Sequence, residues 1–318
     1  MEFKFTVKVI LLLLQVSIGV PANAFVLMIY AYAAYGEKDL KPIDKIMCHL
    51  VFANLLRLLP KGPPEIMHNL GLNNILDDAG CKSINYITRT ARGVSICVTS
   101  LLSIYQAITL APPTTRWQFL KSRSQKDIIP HIVGFWLFNM VLYISFAKQL
   151  FAVKNGTRPR FTYDLGFCYS KFIEPPFYYI NMLLIIGHDV FFVGLMLLSS
   201  VYILYVLKRH REQVKYLHSA RQNSKAMAER TAATNVIKLV SLYVFFYGVD
   251  TGFMVYTSGL SSVSSLLSEV RVFLSSCYAV LSPFLIISFN MKMYRKFRYP
   301  HKEKQMKSTD MNACHLKI

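Results

Sequence analysis

VILLLLQVSIGVPANAFVLMIY, residues 9–30, is either a cleaved leader or the first helix of a membrane protein. Ala22-Asn23-Ala24 behind an apolar run, with two lysines before it, is typical of a signal-peptide cleavage site. A signal peptide has an apolar core of about 7 to 15 residues, whereas no Asp, Glu, Lys or Arg occurs here in residues 9–36. We therefore predict an intact spanning helix with Asn23 in its interior.

The composition of the whole chain also favours a membrane protein. Hydrophobic residues make up 53% of the 318 residues and charged residues 17%, against about a quarter charged in soluble domains. Four further windows lack any charged side chain and approach the roughly 20 residues that a spanning helix needs. They are 93–115, 128–147, 190–207 and 272–291. Two weaker windows are 43–60, interrupted by Arg57, and 239–268, interrupted by Asp250.

These windows predict an all-α membrane protein, a single seven-transmembrane helix bundle that occupies residues 1–318. A soluble helical domain is disfavoured because the windows have no charged outer face. The expected spans are 9–35, 43–60, 83–110, 128–147, 176–207, 236–257 and 268–289, followed by a basic tail at 290–318.

The basic residues predict the orientation of this bundle. The segments after the first, third, fifth and seventh spans, together with the first three residues of the spans that follow them, hold 23 of the 36 Lys and Arg residues. Short cytoplasmic loops carry such an excess. We therefore predict an extracellular N-terminus and a cytoplasmic C-terminus. The net charge of +19 then indicates orientation and contact with anionic lipid, and not nucleic-acid binding, because the charges lie in short segments between spans.

Two features of the predicted outer side agree with this topology. Asn155-Gly156-Thr157 is a glycosylation sequon in the loop between the fourth and fifth spans. Of the six cysteines, only Cys81 and Cys168 fall outside, so an oxidising compartment should join them in a disulfide. We expect that bond to hold the long outer loop over the mouth of the bundle.

Several motifs resemble a known receptor family. Asn23, the two outer cysteines and Pro283 are similar to the framework of the rhodopsin-like G-protein-coupled receptors. More narrowly, LLSIYQAIT (101–109) and DLGFCYS (164–170) resemble the vomeronasal type-1 receptors. Longer stretches that share this resemblance are HLVFANLLRLLPKGPP (49–64), NNILDDAGCK (73–82), DVFFVGLM (189–196) and LSPFLIIS (281–288). The resemblance extends from about residue 9 to residue 298.

The resemblance implies a chemosensory pheromone receptor in the plasma membrane of sensory neurons. Such a receptor detects small semiochemicals and activates a heterotrimeric G protein of the Gi/Go class. Two alternatives stay open: a bitter-taste-type chemoreceptor, and a seven-span transporter or channel. DLGFCYS and the outer cysteine pair favour the vomeronasal assignment, and the two halves of the chain show none of the internal repeats common in transporters. The sequence does not indicate an oligomeric state.

The chain departs from the general receptor pattern at the cytoplasmic end of the third span. Where most rhodopsin-like receptors have Asp-Arg-Tyr, this chain has Ser103, Ile104 and Tyr105, so an ionic lock cannot form there. We expect the G protein to contact these three residues and the basic loop 208–230, whose first charges are Lys208, Arg209 and Arg211. The alternative is that the loop is merely a solvated positive-inside segment.

Other departures affect the interior of the bundle. Asn54 stands where an Asp usually supports a sodium ion, and Ser282-Pro283 replaces Asn-Pro. We predict that Asn23 bonds toward Asn54 and the Ser282-Pro283 region, and so ties the bundle together. Arg57 either snorkels outward or lines the cavity of the bundle. We expect it to snorkel, because Pro60-Lys61-Gly62 marks the end of the second span nearby.

Charged residues inside the spans predict the ligand site. Arg89 and Arg92 lie on one face of the third span and cannot both face lipid, since a charge at mid-membrane costs about 2.5 to 3.5 kcal/mol on insertion scales. Asp189 and Asp250 are their candidate partners, while Glu269 and Arg271 lie at the outer end of the seventh span. The aromatic and polar side chains expected to complete the pocket are Tyr86, His188, Tyr247 and Tyr256. The alternative is a set of buried ion pairs that fixes helix packing without touching a ligand.

No pattern in the chain indicates an enzyme. HExxH, GxSxG and P-loop motifs do not occur. Asp77-Asp78 is expected to begin a helix before Cys81 and not to act as a catalytic pair. We therefore expect no catalytic residues, no metal site and no cofactor.

Overall fold

The computed structural model describes residues 2–36, 40–72, 75–111, 128–148, 150–152, 162–164, 167–171, 175–216, 224–258 and 265–289. Seven helices run through them: α1 (Glu2–Gly36), α2 (Pro42–Asn69), α3 (Asp78–Leu110), α4 (Ile128–Ala147), α5 (Pro175–Tyr216), α6 (Ser224–Ser258) and α7 (Ser265–Phe289). Each predicted span falls within one of these helices. The predicted seven-helix bundle is therefore confirmed, while Asn155 and the tail 290–318 lie outside the described residues.

Five of the described helices are long and apolar enough to cross a membrane, namely α1, α3, α4, α5 and α6. Helix α6 is among them although Asp250 makes its window weak in the sequence. In α7, the apolar stretch within the residues whose side chains are described is shorter, Phe273–Ser288. Length and apolar character therefore identify five of the seven helices as candidate spans, and α2 and α7 pack against them in the same bundle.

Helix α2 corrects the prediction for Arg57. The helix continues through Pro60, Pro63 and Pro64 to Asn69, so Pro60 does not mark its end. Proline is tolerated in membrane helices because neighbouring helices and side chains satisfy the freed backbone groups. Arg57 is only 8% exposed, and its Nη2 donates to the carbonyl oxygen of Ser275 on α7. The prediction that Arg57 snorkels outward is wrong, and the side chain points into the bundle.

Helix α3 lies at the centre of the bundle. It packs against α2, α4, α5 and α6, and 67% of its apolar window is buried, against 11% for α5. Many of its buried positions carry small side chains, among them Ala91, Gly93, Ser95 and Ser103. Small residues allow helix backbones to approach closely in a membrane, which explains why this helix accommodates four neighbours.

A small sheet, which the sequence does not predict, covers one end of the bundle. Its strands are β1 (Leu150–Ala152), β2 (Thr162–Asp164) and β3 (Cys168–Lys171), antiparallel in the order β1-β3-β2. The predicted disulfide is confirmed: Cys81 at the start of α3 is bonded to Cys168 on β3, with the two Cα atoms 6.0 Å apart. We call this end of the bundle the disulfide end.

Further contacts tie the sheet to the first turns of α3. Asp77 caps the helix by accepting a hydrogen bond from the backbone N–H of Gly80 at 2.7 Å, which confirms that the acid pair begins a helix. Asp78 Oδ1 accepts from the backbone N–H of Ala152 at 2.9 Å. Lys82 Nζ lies 5.0 Å from the centroid of the Phe151 ring, within cation–π range. The sheet and α3 therefore form one connected unit.

Candidate functional site

Arg92 on α3 lies at the centre of a buried charged cluster. Its Nη1 and Nη2 each lie 3.3 Å from a carboxylate oxygen, of Asp189 on α5 and of Asp250 on α6 respectively. Its guanidinium carbon lies 4.4 Å from the centroid of the Tyr247 ring, a cation–π contact. Asp189 and Asp250 are 3% and 4% exposed, so both charges depend on this pairing. A single side chain thus connects three helices.

Arg271 extends the cluster to α7. Its Nε lies 3.1 Å from Asp250 Oδ1, so Asp250 is shared between two arginines. The sequence places Arg271 at the outer end of the seventh span but does not show which acid it meets. Ionisable groups inside a membrane protein face the protein interior and pair with one another, and this is what the four charges do.

His188 occupies the α5 side of the cluster through polar contacts on both ring nitrogens. Nδ1 lies 3.0 Å from Asp189 Oδ1, and since a carboxylate only accepts, Nδ1 is the donor. Nε2 lies 3.3 Å from Cys97 Sγ. Asn139 on α4 lies with its Nδ2 3.5 Å from the same sulfur. The rings of Phe138 and Phe192 pack against the imidazole with centroids 5.6 and 4.9 Å away.

The sequence analysis does not identify Cys97 and Asn139 as part of this site. The signal for Asn139 is its amide in an otherwise apolar span, since such polar side chains often bond between membrane helices. Cys97 carries no such signal, because a cysteine inside a span is most simply a small packing residue.

Gly93 explains how α4 comes so close to the cluster. A Cβ at this position would lie 1.9 Å from Asn139 Oδ1 and 2.8 Å from Cε2 of Tyr143. Only glycine therefore leaves room for both α4 side chains against α3. Tyr143 also packs with Ile185 and the sheet residue Leu150, so the same contact links the cluster to the disulfide end.

The structure divides the predicted ligand residues into two groups. It brings together Arg92, His188, Asp189, Tyr247 and Asp250. Tyr86 instead faces α4, where its hydroxyl donates to the carbonyl of Met140 at 2.9 Å. Arg89 is half-buried, one turn nearer the disulfide end. Tyr256 is 61% exposed, which corrects its predicted place in the pocket, because α6 turns this side chain to the outside of the bundle.

The predicted polar residues Asn23, Asn54 and Ser282 are all buried below the cluster. Asn54 Nδ2 donates to Ser282 Oγ at 2.9 Å, and Ser95 Oγ lies 3.3 Å from Asn54 Oδ1. The predicted bond from Asn23 to Asn54 is wrong: Asn23 Nδ2 donates instead to the carbonyl oxygens of Gly19 at 2.7 Å and Ala279 at 2.8 Å, the second of which lies near Pro283. The Ala279 carbonyl is four residues before Pro283, which has no N–H to offer it. Asn23 on α1 thus supplies the hydrogen bond that the proline removes from α7.

The opposite end of the bundle carries the residues predicted to face a G protein. Ser103 is fully buried, with its hydroxyl donating to the carbonyl of Thr99 at 3.1 Å. Ile104 is half-buried and Tyr105 is 9% exposed. Lys208 and Arg209 are exposed on α5, whereas the side chain of Arg211 lies outside the described part of the chain. Helix α5 therefore contributes exposed charge at this end, close to its last residue, Tyr216.

Comparison with known proteins identifies the family. The sequence profile of the vomeronasal organ pheromone receptor family matches residues 5–299. Olfactory receptor class A-like protein 1 of Danio rerio is 39% identical over 311 residues, covering 98% of both chains. Vomeronasal type-1 receptor 4 of Homo sapiens is 32% identical over 289 residues, covering 91% of this chain and 96% of its own.

A solved structure supports the fold independently. The crystal structure of squid rhodopsin superposes with a TM-score of 0.73 at 15% identity, covering 94% of this chain and 86% of the rhodopsin chain. At that identity the likeness concerns the arrangement of helices alone. Together, the seven-helix bundle, the disulfide and the profile match over nearly the whole chain show that this protein belongs to the vomeronasal organ pheromone receptor family, as a multi-pass, chemosensory G-protein-coupled receptor of the plasma membrane.

Proposed function

We propose that this receptor binds a small semiochemical at the Arg92 cluster and responds by activating a Gi/Go-class G protein. The observation that carries the proposal is the position of Arg92 between Asp189 on α5 and Asp250 on α6. A ligand that competes for either carboxylate changes how α3, α5 and α6 are held together. A binding event is thereby coupled to a rearrangement of helices, as a receptor requires.

The surroundings of the cluster suit a small, partly apolar ligand. Ligand pockets are lined mainly by apolar and aromatic side chains with a few polar groups that fix orientation. Here Tyr247, Phe192 and Tyr143 lie beside the charged residues. The proposed ligand residues are Tyr86, Arg89, Arg92, His188, Asp189, Tyr247 and Asp250. Tyr86 and Arg89, nearer the disulfide end, would be met first by a ligand entering from that side.

The proposal includes an orientation. The disulfide end faces the extracellular space, where a cystine is stable and where Asn155 would be glycosylated. The opposite end then faces the cytoplasm, with Lys208 and Arg209 exposed on α5 beside Ile104 and Tyr105 as the G-protein surface. Ser103 supports this surface from beneath, since it is buried, and Arg211 is proposed to extend it.

Replacing Arg92 tests the ligand site. We expect Arg92→Ala to abolish the response to an active semiochemical while surface expression remains, because the variant removes the group on which both acids converge. The measurement is intracellular calcium or cAMP in transfected cells exposed to a semiochemical panel, with surface receptor counted by antibody. Lys238→Ala, at an exposed position on α6, is the matched control. A variant that is lost from the surface would favour a purely structural role for the cluster.

Selective blockade of Gi/Go-class proteins tests the coupling. We expect the semiochemical response of the unmodified receptor to disappear under blockade. A response that persists would assign a different G-protein class. Uptake of the ligand, or a current, without any G-protein dependence would contradict the receptor mechanism itself.

A further inference from the structure

A thiol and an imidazole face each other inside the bundle, between α3 and α5. Cys97 is fully buried and His188 is 8% exposed, and Cys97 Sγ lies 3.3 Å from His188 Nε2. Because Nδ1 carries the proton that is donated to Asp189, a neutral imidazole has its lone pair on Nε2. The lone pair therefore belongs to the nitrogen that contacts the sulfur. The proposed function assigns no role to this thiol.

The surroundings of these two atoms suit a metal bound by a histidine and a thiolate. A histidine that binds a metal through one ring nitrogen usually donates its other N–H to a carboxylate or a carbonyl, and His188 donates to Asp189 at 3.0 Å. Asn139 Nδ2 lies 3.5 Å from the thiol sulfur, where it can donate to a thiolate. The rings of Phe138 and Phe192 pack against the imidazole. Neighbouring side chains thus orient both candidate ligand atoms.

The number of ligands limits which metal fits. Among the side chains that the structure describes, no group of three His, Cys, Asp or Glu could hold a metal ion together. Zinc takes three or four such ligands, whereas copper(I) is held by as few as two. Copper(I) is also a soft ion that prefers thiolate and accepts imidazole. Bonds of about 2.3 Å to sulfur and about 2.0 Å to nitrogen, the lengths that zinc makes, fit between atoms 3.3 Å apart in a bent arrangement.

The charge of the site also favours a monovalent ion. The metal takes the place of the thiol proton of Cys97, which leaves as H⁺, so a monovalent ion does not change the net charge of the site. A divalent ion would add a positive charge near Arg92, which lies 3.3 Å from the Asp189 carboxylate. Uncompensated charge inside a membrane protein is costly. A thiolate neutralised by a monovalent ion avoids that cost.

We propose that Cys97 and His188 bind copper(I) between α3 and α5, with Asp189 and Asn139 orienting the two ligands. The sequence alone predicts no metal site here, because the two ligands are 91 residues apart along the chain. The ion would join α3 to α5 directly. Its binding needs neither an agonist nor a G protein, so the copper site and the proposed function can fail independently of each other.

The test is copper binding by the purified full-length receptor in detergent. Copper(I) is supplied as its bicinchoninate complex under argon, and the loss of colour of that complex measures transfer to the protein. All chains carry Cys314→Ser and His315→Gln, which remove a cysteine–histidine pair from the tail. We expect one copper ion per chain to remain after gel filtration, with sulfur and nitrogen both bound to it in X-ray absorption. A receptor that retains no copper, or copper bound by sulfur alone, would overturn the proposal.

Substitutions at the free thiols separate this site from copper bound elsewhere. Cys97→Ser keeps a hydrogen-bond donor for His188 Nε2, so the fold should be retained. The bound copper should be lost, because a hydroxyl is a poor ligand for a soft ion. Cys48→Ser and Cys277→Ser, at the other free thiols of the described residues, are the matched controls and should keep the copper.

Two further variants test the histidine and the amide beside the sulfur. His188→Gln should also lose the copper. Asn139→Ala leaves both ligands in place and should weaken binding about tenfold, since outer hydrogen-bond partners affect metal affinity by that factor or more. A Cys97→Ser or His188→Gln receptor that folds and keeps the copper would contradict the proposal. If neither variant folds, Asn139→Ala decides, and an affinity equal to that of wild type would then contradict it.

Discussion

Gly93 shows how one absent methyl group positions a polar cluster. The backbone of α3 at this residue is covered by Asn139 and Tyr143 of α4, and an added Cβ would meet their side chains at 1.9 and 2.8 Å. Asn139 in turn contacts Cys97, which contacts His188. Gly93 therefore affects the geometry of the α5 side of the site indirectly, through the side chains of Asn139 and Cys97.

We predict that Gly93→Ala lowers the thermal midpoint of the receptor. Overpacking of a close-packed interior costs about 1 to 3 kcal/mol, and Asn139 is fully buried, so its side chain has little room to move. Gly134→Ala on α4 is the control, because a Cβ there meets nothing within 4 Å and alanine favours a helix over glycine. Equal midpoints for the two variants would show that α4 moves aside without cost.

The single charged residues illustrate what can be predicted from sequence and what cannot. Arg92, Asp189 and Asp250 were predictable as a set, because the cost of a charge in lipid forces each one inward. The same reasoning fails for Arg57, since it assumes that Pro60 ends the helix, whereas α2 continues to Asn69. Whether a long side chain snorkels or turns inward depends on where its helix ends, and a proline alone does not fix that point.

A proline removes one backbone hydrogen bond from α7, and a side chain of α1 supplies the replacement. Pro283 leaves the carbonyl of Ala279 without its backbone donor. Asn23 Nδ2 on α1 donates a hydrogen bond to that carbonyl at 2.8 Å. Gln15 Nε2 also donates to the carbonyl of Phe273 on α7, at 2.9 Å. Side-chain donors of α1 thus follow the backbone of α7 over more than one turn, and the contact between the two elements is polar as well as apolar.

A double substitution tests this dependence between helices. Asn23→Ala should lower the thermal midpoint, because a buried carbonyl left without a donor costs about 1 to 3 kcal/mol. Pro283→Ala restores the backbone N–H that can bond Ala279, so the double variant should lose less stability than the sum of the two single variants. Additive losses in a double-mutant cycle would contradict the assignment of Asn23 as the substitute donor.

Among the elements, the helices were predictable and the sheet was not. Long charge-free windows mark most helices because the bilayer demands about 20 apolar residues. Strands of three or four residues carry no such length signal, and β1 and β2 meet only through pairing with β3. The disulfide of Cys168 and the bond from Asp78 place that sheet, so its existence follows from contacts distant in sequence.

For the whole molecule, the distribution of basic residues predicts an orientation that can be measured directly. We expect an epitope at the N-terminus to be stained on intact cells and an epitope at the C-terminus only after permeabilisation. In the same cells, Asn155→Gln should increase gel mobility, because it removes a glycan that only the lumenal side can add. Staining of the C-terminus on intact cells would reverse the orientation, and with it the sides proposed for ligand and G protein.

The unequal burial of α3 and α5 has a consequence for how receptors of this architecture diversify. Helix α3 touches four neighbours, so a substitution there disturbs several interfaces at once, whereas most of the apolar window of α5 faces outward. If the proposed ligand site is correct, substitutions that change ligand preference at little cost in folding should therefore accumulate on the few inward positions of α5, such as His188. New ligand preferences would then arise through substitutions on α5, while α3 stays unchanged.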